Sequence, residues 1–145
     1  MTDSAKAPTH MWIVGIASLL WNAFGAFDYV MTKLNNPDYM AAFTPEQQQY
    51  FTSFPLWANI GWGLGIWGAV LGSVLLLARS RHAETAFLAS LVGLALSSAY
   101  QFGLHYADLM RMFGIFPLAF TVVIWAIGIA LYLYARRQVA AGVLR

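Results

Sequence analysis

The sequence predicts an all-α integral membrane protein, a four-helix bundle with both termini in the cytoplasm, formed as one domain over residues 1–145. Three observations point there. Of 145 residues, 60% are hydrophobic and 10% charged, against roughly 45–50% apolar and about 25% charged in a soluble domain. A bilayer core about 30 Å thick needs roughly 20 apolar residues in helical form. The chain offers four such stretches, at 11–31, 55–78, 85–104 and 112–135. Finally, Lys and Arg near span ends are retained on the cytoplasmic side during insertion. Lys6, Arg79, Arg81, Arg136, Arg137 and Arg145 fall on one side of the spans, with Lys33 and Arg111 opposite.

The first span carries Asp28, the one charged residue within the four stretches. Lys6 ahead of an apolar run resembles a secretion signal, but the run continues past Trp21 without a small-residue cleavage site, so a retained helix is expected. The outer loop, 33–54, holds two helix-start signals. Asn36-Pro37 is one, and Thr44-Pro45-Glu46-Gln47 is the other, with Thr44 placed to cap and Gln47 to reach back. Tyr39, Met40, Phe43, Tyr50, Phe51 and Phe54 around them suggest short helices lying at the membrane interface. The brief 79–84 connection makes the second and third spans an antiparallel hairpin.

Helices in lipid gain no hydrophobic drive toward one another, so their contact relies on small residues that let backbones approach. Gly61, Gly65, Gly68 and Gly72 form such a stripe on the second span, and Ala86, Ser90, Gly93 and Ser97 form one on the third. The stripes are expected to pack within one bundle, the alternative being a homo-oligomer interface.

Polar residues gather toward the outer halves of the spans. Asn22, Asp28, Tyr29, Asn59, Ser97, Gln101 and His105 form the candidate ligand site. Helix-to-helix hydrogen bonding accounts equally well for Asn22 and Ser97. Asp28 stands near the carboxyl end of its helix, where the dipole disfavours negative charge, so a compensating cation is expected from Lys33, His105 or Arg111.

Several functions are excluded. The formal charge is +2 and no basic run follows a phosphate backbone, which argues against nucleic acid. With no cysteine there is no thiolate metal site, disulfide or thiol nucleophile. His10 and His82 lie at one end of the spans and His105 at the other, so no pair could hold haem across the interior. No metal, cofactor or catalytic residue is expected.

Trp21-Asn22-x-x-Gly25-x-x-Asp28-Tyr29 and the loop run Tyr39-Met40-Ala41-Ala42-Phe43-Thr44-Pro45-Glu46-Gln47, together with the glycine-rich second span, resemble a group of small, uncharacterised bacterial inner-membrane proteins. The resemblance covers most of the chain and fades after Tyr106. Some of the group are loosely described as sugar transporters. It implies a location in the bacterial inner membrane and no residue-level mechanism. The functional expectation is a non-enzymatic binding or assembly subunit that contacts lipid, a ligand, another copy or a membrane-protein partner. The alternative is a small-solute transporter or channel component acting as an oligomer.

Overall fold

The computed structural model describes residues 6–145, which leaves the first five residues of the expected domain outside the described part. The elements are α1 (Thr9–Lys33), α2 (Pro37–Met40), α3 (Pro45–Thr52), α4 (Leu56–Leu77), α5 (His82–Ser98), a π-helical extension of α5 (Ala99–Leu104), α6 (Tyr106–Phe113) and α7 (Phe116–Ala140). Among the described residues there is no strand. α1, α4, α5 with its extension, and α7 are long and apolar enough to cross a membrane.

The distribution of side chains inverts that of a water-soluble bundle. Ser18, Asn22, Ser73 and Ser97 are buried, while Ile13, Ile16, Leu20, Phe24 and Phe27 of α1 and Leu64, Trp67, Leu71 and Val74 of α4 are exposed. Soluble proteins rarely expose apolar surface so continuously. Hydrocarbon suits such helices, because each backbone bonds internally and these serine hydroxyls and the Asn22 amide turn inward.

Helix ends follow from local chemistry. Asn35 adopts φ 51°, a left-handed conformation that asparagine tolerates. The turn it closes sends Asn36 N–H to the Met31 carbonyl at 3.1 Å and Asn35 N–H to that of Thr32 at 3.0 Å, ending α1 at Lys33, four residues before Pro37. α4 ends in the same way on Arg79, at φ 57°, where no glycine eases the turn. α2 and α3 begin at the two signals read from the loop. The Asn36 side chain accepts from Tyr39 N–H, and Thr44 and Gln47 form a reciprocal capping box.

Packing runs α1 to α4, α4 to α5 and α5 to α7. The α4–α5 seam is near backbone contact. A Cβ on Gly61 would lie 2.6 Å from that of Leu96, and one on Gly68 3.1 Å from the Ser90 backbone. The Ser90 hydroxyl donates to the Gly65 carbonyl across the seam at 2.6 Å. The glycine stripe therefore packs inside this chain. At the end bearing both termini, Met11, Leu76, Phe87, Leu131, Ala135, Val143 and Leu144 form one buried cluster. Tyr50, Phe54, Ala58, Tyr100 and Leu109 form another at the loop end.

The last third departs from the expected boundaries. α6 occupies the connection between the third and fourth spans. α7 begins at Phe116 and runs to Ala140, whereas hydropathy placed it at 112–135. Gly114, at φ 73°, breaks the chain direction after α6, and Pro117 sits in the first turn of α7. The other end continues through Arg136 and Arg137, which are good helix formers that an apolar count leaves out.

Candidate functional site

A cavity of about 740 Å³ lies between the long helices. α1 contributes Asn22 and Asp28, α4 contributes Gly61 to Ala69, the α5 strip ends in Ser97, Ser98 and Gln101, and α7 lines it from Phe116 to Leu131. Those fifteen steps along α7 correspond to roughly 20 Å of depth. The cavity exists because the ring of helices is not closed by backbone packing. α1 and α7 meet through side chains instead, at a His10–Tyr134 hydrogen bond and at Trp21–Phe120, whose rings are 5.9 Å apart. Phe24 and Phe116 line the cavity yet are 76% and 68% exposed. The opening is therefore lateral, between α1 and α7.

The wall is predominantly aromatic and aliphatic. Asp28 is its one carboxylate, and no Lys, Arg or His belongs to it among the described residues. The compensation that Asp28 needs comes from a neutral donor, since the Tyr39 hydroxyl, delivered by α2, donates to its Oδ1. Burial first, then the hydrogen bond and the charge of Asp28, push the Tyr39 phenol up to about 12. At neutral pH it keeps its proton and remains a donor.

The expected cations are engaged elsewhere. The Lys33 ammonium donates to Asn59 Oδ1 and lies 5.2 Å from the centre of the Trp62 ring. Arg111 donates to Glu46 at 2.9 Å and to Asp108 at 3.4 Å, two carboxylates that raise its already high pKa. His105 faces Asp108 at 3.8 Å.

Four of the seven candidate residues thus meet on the cavity wall: Asn22, Asp28, Ser97 and Gln101. Asn22 uses its Nδ2 to bond the Ala69 carbonyl at 3.1 Å and Ser73 Oγ at 3.0 Å, and Ser73 in turn pairs with Ser18 at 2.8 Å. Gln101 donates to Ser97 at 2.9 Å. The other three lie off the wall. Tyr29 packs edge-on to Trp62 at 4.8 Å, Asn59 holds Lys33, and His105 lies against Tyr100 at 4.5 Å with the two rings tilted.

Regular α spacing would put Ser97, Gln101 and His105 on one stripe. The π-helical turn from Ala99 to Leu104 adds a residue to the repeat, so Gln101 stays on the cavity while His105 moves to the aromatic cluster. There the Tyr50 hydroxyl is buried without a hydrogen-bond partner among the described residues, and burial holds its phenol above the usual range.

Two contributors escape a reading by sequence spacing. Tyr39 reaches Asp28 only because α2 folds back over the end of α1. The aromatic wall draws on Trp21, Phe24, Phe43 and Phe120, scattered over three segments whose common signal is nothing more than apolar size. Comparison with family models, with curated proteins and with solved structures finds no match for this chain.

Proposed function

We propose that this protein is an integral membrane binding protein that takes a small lipophilic molecule from the bilayer into the cavity between α1 and α7. The observation that carries this reading is the lateral opening. A cavity of this size falls in the range of small-molecule sites, about 300–1,000 Å³, and its mouth, bordered by Phe24 and Phe116, lies on the face where hydrocarbon would be. The polar strip of Asn22, Ser97 and Gln101 gives such a molecule a fixed orientation.

We place the protein in the bacterial inner membrane with both termini cytoplasmic, on the strength of the charge distribution and the family resemblance. Binding is favoured over passage of a solute, because Met11, Leu76, Phe87 and Leu131 fill the terminal end. The glycine seam is taken up inside the chain, so any partner would meet the apolar outer faces.

Native mass spectrometry of the gently extracted protein tests the reading. A small-molecule adduct is expected, and Thr121→Trp, which fills the cavity from α7 without entering the glycine seam, should abolish it. Bare protein in both samples would count against binding. Impermeant thiol labelling of Gln48→Cys but not Ser80→Cys in intact cells tests the orientation.

A further inference from the structure

Resting on that reading of the cavity, we propose that its ligand is a monovalent apolar organic cation, whose charge is met by Asp28 and whose bulk lies against the aromatic wall. The charge pattern carries the inference. Asp28 is a half-buried carboxylate on a mostly apolar wall, held by a neutral phenol on one oxygen and with no cation on the same wall among the described residues. Beside apolar walls an opposite charge is attracted more strongly than in bulk water.

The basic groups at the same end of the bundle do not supply that charge. Lys33 is bonded to Asn59 over the Trp62 ring, Arg111 is held by Glu46 and Asp108, and His105 faces Asp108. Asp28 also lies in the last two turns of α1, where the negative end of the helix dipole adds to the attraction for a cation and repels an anion.

The walls select the kind of cation. Trp21, Phe24, Phe43 and Phe120 line the cavity, and aromatic faces stabilise an organic cation while offering nothing to a metal ion that needs several oxygen ligands. Among the described residues no three His, Cys, Asp or Glu side chains are grouped to hold a metal. An apolar onium or protonated amine needs one counter-charge and dispersion contacts, both of which are present. The lateral mouth fits a molecule that partitions into lipid before it binds.

Equilibrium dialysis with the full chain in phosphatidylcholine nanodiscs, against empty nanodiscs, tests this with three probes of related shape: tetraphenylphosphonium, neutral triphenylphosphine oxide and anionic tetraphenylborate. Saturable binding is expected for the phosphonium, weaker binding for the neutral probe, and none for the borate. Asp28→Asn should weaken the phosphonium about tenfold or more while leaving the neutral probe unchanged, and Asp28→Glu should retain it.

Equal binding of phosphonium and neutral probe, insensitive to Asp28→Asn, would overturn the assignment of a cation and leave the cavity reading standing. Absence of saturable binding by all three would overturn both. The contrast between phosphonium and borate on the unaltered protein decides the matter even where an Asp28 variant does not fold.

Discussion

The two ends of the bundle are built on opposite plans. At the terminal end, Met11, Leu76 and Ala135 are fully or almost fully buried, Phe87 fills the space opposite Gly72, and the backbone of Arg145 bonds to those of Arg79 and Arg81 at 3.1 and 3.3 Å. At the loop end α4 and α5 stay in contact at Gly61 while α1 and α7 border a cavity, and three short helices, ring contacts and a few polar links bridge the end, such as Gln47 donating to the Met112 carbonyl at 2.9 Å. The cavity thus opens toward the loop end, beside a second buried cluster of Tyr50, Phe54, Ala58, Tyr100 and Leu109. Well-packed cores transmit little freedom, whereas segments with few buried contacts open locally at low cost.

The contrast is broken most severely through the seam that both ends share. Gly61→Leu and Gly68→Leu force a branched side chain into the α4–α5 contact and should eliminate the monodisperse folded species in size-exclusion chromatography. Gly65→Ala, whose Cβ would find its nearest neighbour at 3.4 Å, should be tolerated. Wild-type behaviour of both leucine variants would mean that the seam is not close-packed.

A smaller effect sharpens the difference between the ends. Phe87→Ala removes a ring that is 2% exposed and should cost about 3 kcal/mol, the low end for truncating a buried phenylalanine. Phe120→Ala, on the cavity wall and 43% exposed, should cost less than about 1 kcal/mol. Equal losses in reversible unfolding would deny the distinction.

The smallest effect is a titration. Because the Tyr39 phenol is raised from 10 to about 12, the protonated form is favoured by folding. Its stabilising contribution is complete below pH 10 and is lost as pH rises toward 12. Phenolate absorbance should therefore show late-titrating tyrosines among the seven, Tyr39 and the still later Tyr50, and Tyr39→Phe should reduce the amplitude of that late phase. An unchanged high-pH phase in that variant would place the raised phenol elsewhere.

What could be read from the chain beforehand divides along the same line. The long helices announce themselves by apolar length, the glycine stripe by its spacing, and α2 and α3 by Asn36 and Thr44, since each of these signals is local. The site is only half legible. Ser97 and Gln101, four apart, keep one face, whereas Asn22 and Asp28, six apart on α1, stand about 120° from each other around its axis and share the cavity only because its wall curves around that helix. His105 loses its place to a π-helical turn that no residue type marks. The partner of Asp28 is a tyrosine whose approach depends on the Asn35 turn, a tertiary arrangement that overrides the electrostatic expectation of a lysine, histidine or arginine. α6 lacks both long apolar runs and caps, and hydropathy passed over it.

The seam between α4 and α5 also bears on how the fold responds to temperature. Curved stability profiles arise when unfolding brings apolar surface into water and raises the heat capacity. Here the α4–α5 contact is largely backbone approach at glycine and serine, joined by the Leu96 and Phe87 side chains, and in a bilayer the separated helices would exchange that contact for lipid chains. The heat-capacity change of separation should then be small and the profile nearly straight, so that chilling does not loosen this bundle as it loosens a protein held together by the exclusion of water.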